Sequence, residues 1–133
     1  MTHDKPIAVQ ISAGELIDKI TILELKAAHF IDPGKLRHVL RELEMLQTVR
    51  DQTIPSSPEL SELGRQLKAV NSELWQIEDA IRLCEQKHDF GPQFTALARS
   101  VYRCNDRRCQ LKRCIDELVG SSVVEEKSYT SYS

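Results

Sequence analysis

The sequence lacks any long run of apolar residues, and its charges of opposite sign nearly cancel. Among its 133 residues, 18 are lysine or arginine and 20 are aspartate or glutamate, which gives a formal net charge of -2. No segment approaches the roughly 20 apolar residues that a membrane-spanning helix requires. A chain without a strong positive charge is poorly suited to bulk binding of nucleic acid or of an anionic membrane. We therefore expect no membrane span and no nucleic-acid partner.

The beginning of the chain also lacks the apolar core of a secretion signal, which favours a soluble, cytoplasmic protein with reduced cysteines. Cys104, Cys109 and Cys114 recur at steps of five, so successive side chains point about 140° apart around a helix. Three such thiols cannot converge on one metal ion. The single Glu-x-x-His spacing at residues 85–88 lacks the second copy that a di-iron bundle needs. We predict no metal site and no cofactor, and we interpret Cys84 and Cys104 as small core residues.

What the sequence has in abundance is helical periodicity. Apolar residues recur at steps of three and four in four segments, separated by turn signals. These segments predict helices at about 12–30, 33–50, 58–88 and 92–119, followed by a tail at 121–133. A chain of this length suits one domain, here residues 1–133. We predict an all-α four-helix bundle, built on a long antiparallel hairpin of the third and fourth helices.

Local signals support these elements. Ser12 and Glu15 form a capping box at the start of the first helix. That helix is apolar around much of its circumference, which predicts a central position in contact with several neighbours. Residues 7–11 and 123–129 are β-prone segments that flank the helical part. We expect both to lie against the bundle, with pairing as two short strands as one arrangement.

The segment of greatest interest is residues 99–113, which carries six basic side chains and one acidic side chain. Arg108 falls on the apolar stripe of the predicted fourth helix and therefore needs a partner. Counting back from the predicted turn places Glu78 level with Arg103 and Glu73 level with Arg108. Two interpretations remain open: the basic face binds a phosphate or carboxylate, or it forms salt bridges with acidic residues across the hairpin.

Any ligand is expected beside the seam between the third and fourth helices. The candidate ligand-binding residues are Lys19, Glu78, Asp79, Arg82, Arg99, Tyr102, Arg103, Asn105, Asp106, Arg107 and Arg108. For Asn105 and Arg108, a buried polar network that fixes helix register is an equal alternative. The sequence identifies no catalytic residue.

Four stretches of the chain carry a resemblance. Residues 11–26, 70–82, 97–108 and 124–129 resemble a small all-helical bacterial family of unknown function. The resemblance covers most of the chain and implies no established activity. It does imply a connection with glycosyltransferases and with polysaccharides of the cell envelope.

Two classes of function are compatible with these features. The first is a binding or scaffold module, in which the third and fourth helices span about 42 to 45 Å and the first two under about 30 Å. The overhang leaves an apolar seam that a second copy or a helical protein partner would cover, so we expect a homodimer or such a partner.

The second class of function is a small helical enzyme or binder that acts on an anionic small molecule. Its nearest analogy is the chorismate-mutase type, to which residues 16–20 bear a faint resemblance, although the spaced arginines of that family are missing. We favour the binding module.

Overall fold

The computed structural model describes residues 5–121 and 128–132. The four helices are α1 (Ala13–His29), α2 (Pro33–Thr53), α3 (Pro58–Gln86) and α4 (Pro92–Val119). No strand occurs in the described residues, and the predicted all-α bundle with its long hairpin is confirmed. Against the predicted bounds, α2 continues three residues further and α3 ends two residues earlier.

Side-chain caps explain where the helices begin. The Ser12 hydroxyl accepts a hydrogen bond from the Glu15 backbone N–H at 3.1 Å, and the Ser57 hydroxyl accepts one from Leu60 at 3.1 Å. These bonds satisfy backbone donors that a helix start leaves without partners. At the other end of the chain, Gly120 has a φ of 73° and ends α4 in the left-handed conformation that favours glycine.

Helix α1 is the central element of the fold, as its apolar circumference predicts. It packs against α2, α3 and α4, while α3 and α4 pack along each other as an antiparallel pair. Leu67 of α3 and Ile115 of α4 are fully shielded from solvent at 0% exposure. Cys84 and Cys104 are also buried, which confirms them as core residues. The core thus lies between α1 and the hairpin, with α2 packed on α1.

The β-prone ends behave differently from the prediction. Ile7 and Val9 are extended and exposed at 90% and 75%, so the expectation that residues 7–11 lie against the bundle is wrong for these side chains. Two isolated strands gain too little to form without a larger sheet. Val123 and Val124 lie outside the described residues. The Tyr132 ring of the tail contacts the Tyr102 ring of α4 in a tilted arrangement, with ring centroids 5.0 Å apart and an angle of 59° between the ring planes.

Candidate functional site

A buried polar network joins three helices at the centre of the fold. Its members are Asp18 and Thr21 of α1, Asn71 of α3 and Arg108 of α4, and we call them the Asp18 network. Arg108 donates from Nε to Asp18 Oδ1 at 2.8 Å and from Nη2 to Asp18 Oδ2 at 2.5 Å. The Asn71 amide donates to Asp18 Oδ1 and to the Thr21 hydroxyl, both at 2.9 Å. Such a two-pronged arginine–carboxylate pair fixes geometry as well as energy.

The protonation state of Asp18 follows from these partners. Its side chain is 1% exposed, and burial by itself raises the pKa of a carboxyl group. The hydrogen bonds from Arg108 and Asn71 and the charges of Arg108 and Lys112 outweigh that burial, so the pKa of Asp18 lies below its ordinary value. The same pair raises the pKa of Arg108. Asp18 is therefore a carboxylate at neutral pH.

A second set of contacts joins the beginning of α1 to the last turns of α4. Lys112 Nζ lies 2.6 Å from Glu15 Oε2, and Asp116 Oδ1 accepts a hydrogen bond from the Gly14 backbone N–H at 2.6 Å. Together with Arg108, these residues follow one another at steps of four and bind α1. Every buried side-chain nitrogen or oxygen in the described part of the chain has a hydrogen-bond partner. The polar groups between α1 and α4 therefore have their partners within the protein.

Three further arginines lie on a different side of α4. Arg99, Arg103 and Arg107, here called the arginine stripe, are exposed and follow one another at steps of four. Arg103 is about 140° around the helix from Arg108, so the stripe points away from α1. The ion pairs found among the described residues include none of these three arginines.

The register of the hairpin differs from the prediction by about one helical turn. Burial raises the pKa of the Cys104 thiol, and the charge and hydrogen bond of Glu73 raise it further. Glu73 is therefore level with Cys104, and its predicted position opposite Arg108 is wrong. The partner of Arg108 comes from α1 instead.

The remaining candidate residues are distributed over several surfaces. Glu78 pairs with Arg82 within α3 at 2.9 Å, where both side chains are exposed, and Asp79 is exposed as well. Lys19 lies 3.8 Å from Glu15 on α1. Asn105 is half-buried. The structure thus places Arg108 in the Asp18 network, the arginine stripe on another side of α4, and the Glu78–Arg82 pair on α3.

A cleft of about 440 Å³ lies between α4 and the tail, and we call it the tail cleft. The Tyr132 hydroxyl donates a hydrogen bond to the half-buried Asp106, and this bond, burial and the Asp106 charge raise the pKa of Tyr132. The described residues that line it are Asp106, Cys109, Gln110, Lys112, Arg113, Asp116, Tyr129, Thr130, Ser131 and Tyr132. The sequence analysis predicted neither this cleft nor the roles of Asn71 as a partner of Asp18 and of Asp116 as a partner of Gly14. The steps of four from Arg108 to Asp116 could have indicated that these side chains share one face of α4.

Two features are absent from the described residues. No group of three histidine, cysteine, aspartate or glutamate side chains is arranged there to hold a metal ion. No helix in that part of the chain is long and apolar enough to cross a membrane.

Fold and network together define an all-α protein whose core helices are joined by buried, charge-assisted hydrogen bonds. The model of DUF6165, a family of unknown function, matches residues 7–132. The chain therefore belongs to this family. Searches of curated proteins and of solved structures found no match.

Proposed function

We propose that this protein is a helical binding module and that its arginine stripe binds an anionic partner. The observation that carries the proposal is the contrast between two groups of basic residues. Arg108 and Lys112 face α1 and are paired with Asp18 and Glu15. The stripe is exposed on the same helix and is absent from the ion pairs of the described residues.

The spacing of the stripe suits an anionic partner. Residues four apart on a helix are separated by about 6 Å along its axis, and like charges at this spacing repel one another. A carboxylate or phosphate relieves that repulsion, and each guanidinium group binds either one through two parallel hydrogen bonds. The arrangement favours binding over catalysis, because a reaction usually proceeds in a pocket that excludes water, whereas these arginines lie on an open helix surface.

The context of this binding comes from the resemblance described above. We infer a bacterial, cytoplasmic protein that acts in cell-envelope polysaccharide metabolism, on the strength of residues 70–82 and 97–108. A sugar nucleotide belongs to that context and carries the negative charge that the stripe attracts. Sugar nucleotides are therefore the first ligands to test, with dicarboxylates as a second anionic class.

The test is a thermal-shift screen of the parent protein with both ligand classes, followed by three variants. We expect a hit to raise the melting temperature of the parent, since a ligand that binds only the native state stabilises it. Arg99→Ala, Arg103→Ala and Arg107→Ala should keep a near-native melting temperature without ligand. Each should bind the hit about tenfold more weakly, as expected from the loss of a charge-assisted hydrogen bond.

Arg41→Ala is the matched control, because Arg41 is an exposed arginine on α2, and it should respond to the hit as the parent does. The alternative is that the stripe only stabilises the fold. In that case its variants would lose stability without ligand and would still respond to the hit as the parent does. That result would reject the proposed site.

A further inference from the structure

We propose that the tail cleft is a second binding site, which takes an uncharged small molecule rich in hydroxyl groups. Its volume of about 440 Å³ falls within the range of small-molecule sites. The arginine stripe does not line it. The inference therefore goes beyond the proposed function and does not depend on it.

The floor of the tail cleft is built from buried, fixed side chains. Lys112 and Asp116 are 6% and 3% exposed. Lys112 is held by Glu15, and Asp116 by the Gly14 backbone N–H. A site whose polar groups are already oriented loses little entropy when a ligand binds.

The tail supplies the opposite wall. Tyr132 is held at α4 by its tilted ring contact with Tyr102 and by its hydrogen bond to Asp106. Tyr129, which is 77% exposed, lines the cleft together with Thr130 and Ser131. Aromatic rings provide an apolar surface against which the C–H face of a ring-shaped ligand packs.

The charges of the lining favour a neutral ligand. Among the described residues that line the cleft, two acidic ones, Asp106 and Asp116, balance two basic ones, Lys112 and Arg113. An ionised ligand would leave water without meeting a net opposite charge, and that desolvation is costly. Hydroxyl groups both donate and accept, so they match the carboxylate oxygens and the Gln110 amide at once. A small sugar has this combination of many hydroxyl groups and no net charge.

The experiment titrates the ¹⁵N-labelled full-length chain with glucose and N-acetylglucosamine and, at equal ionic strength, with glucose 6-phosphate. NMR follows the Gly14 amide, below the floor, and the side-chain amide of Gln110. We expect saturable shifts with at least one neutral sugar and weaker binding of the phosphorylated one. Tyr129→Ala and Gln110→Ala should each weaken binding about tenfold. Both positions are exposed, so the melting temperature should stay that of the parent and show that the variants fold.

Gln93→Ala is the matched control, an exposed glutamine in the first turn of α4, and it should leave the titration unchanged. The proposal is overturned if neither neutral sugar gives a saturable shift. It is also overturned if the phosphorylated sugar binds more tightly than both, or if Tyr129→Ala and Gln110→Ala bind like the parent.

Discussion

At the scale of single residues, the Asp18 carboxylate is the group on which the buried hydrogen bonds converge. It accepts two from Arg108 and one from Asn71 and is almost fully buried. Removing one member of a buried ion pair leaves an uncompensated charge, which usually destabilises more than the intact pair stabilises. The losses of Asp18 and Arg108 should therefore be coupled, so that removing both lowers stability by less than the sum of the two single losses.

A double-mutant cycle tests this coupling. We expect Asp18→Ala to lower the free energy of unfolding by about 3–5 kcal/mol, measured by urea denaturation. The double variant Asp18→Ala/Arg108→Ala should lose clearly less than the sum of the two single losses. Lys68→Ala is the control: Lys68 lies 3.8 Å from Glu24 and is largely exposed, so its loss should change stability by under about 1 kcal/mol. Strict additivity of the Asp18 and Arg108 effects would contradict the prediction.

The pKa of Asp18 predicts a pH dependence with a definite sign. Because the folded-state pKa lies below the ordinary value, the unfolded chain takes up the proton first as the pH falls. The stabilisation is present above the unfolded-state pKa of about 3.9 and is lost as the pH falls through the folded-state pKa. Urea denaturation between pH 7 and pH 2 should show this acid loss. Asp18→Asn should lose less unfolding free energy than the parent as the pH falls. Asp79→Asn, an exposed control, should lose as much as the parent. An equal loss in the parent and in Asp18→Asn would refute the assignment.

The sequence reveals part of this arrangement and hides the rest. An arginine on an apolar stripe requires a polar partner, so the sequence of α4 alone predicted that Arg108 would be paired. The identity of that partner was not, because Asp18 lies 90 positions away along the chain and only the packing of α1 brings it close. For the exposed Arg103 the predicted register offered Glu78 as a partner, but Glu78 pairs with Arg82 on its own helix instead, a contact between residues four apart that competes with pairing across the hairpin.

At the scale of elements, α1 and α4 approach each other closely at Gly14. A Cβ atom at this position would overlap the backbone oxygen of Lys112 and lie 2.9 Å from Asp116 Oδ1. The absence of a side chain is what lets Gly14 donate its N–H to Asp116. Gly64 of α3 differs, since a Cβ there would only meet Ile17 Cγ2 at 3.8 Å, an ordinary contact.

Matched alanine substitutions separate these two glycines. Gly64→Ala should raise stability by up to about 1 kcal/mol, because alanine is the better helix former. Gly14→Ala should lower the melting temperature in spite of the same propensity gain, because the backbones of α1 and α4 must move apart. Thermal unfolding followed by circular dichroism measures both. A Gly14→Ala variant as stable as Gly64→Ala would argue against the close approach.

Periodicity and caps predicted the elements well and the hairpin register poorly, for a physical reason. Helix formation depends on neighbours three and four residues apart, which the sequence displays directly. Register depends on how the chain turns, and here α3 ends at Gln86 and His88 adopts a φ of 53°. The sequence does not display this turn geometry, so the count placed Glu73 opposite Arg108 and not beside Cys104. The prediction for the β-prone residues 7–11 was wrong for another reason, since a strand needs a partner strand that a helical bundle does not supply.

At the scale of the whole molecule, the helices have unequal lengths. Helices α3 and α4 have 29 and 28 residues, whereas α1 has 17. The stack of His29 on Trp75, with ring centroids 4.5 Å apart, marks where the end of α1 meets α3. Beyond Trp75 the hairpin continues, and we call residues 76–101 the distal hairpin. Its side chains Ile81, Leu97 and Val101 pack on the core but remain only partly buried.

The partly buried seam leads us to expect a homodimer in which two distal hairpins cover each other. Phe94, Ala98 and Val101 continue, at steps of three and four, the side of α4 on which Arg108 meets α1. A second copy would occupy there the position that α1 occupies nearer the centre of the fold, and pairing the same surface on both copies closes the assembly. Light scattering at micromolar concentration should then give twice the mass of the chain.

Two exposed alanines of α4 make the dimer prediction specific to one face. Ala96 and Ala98 are both exposed, and two residues on a helix point about 200° apart. Ala98→Arg places a long charged side chain in the proposed interface and should give the monomer mass, with the helical content of the parent. Ala96→Arg adds the same side chain on the side of the arginine stripe and should leave the dimer intact, because that side faces away from the seam. A monomeric parent would show that the distal seam is stable in water without a second copy. An Ala98→Arg variant that dimerises like the parent would show that the interface lies on another face.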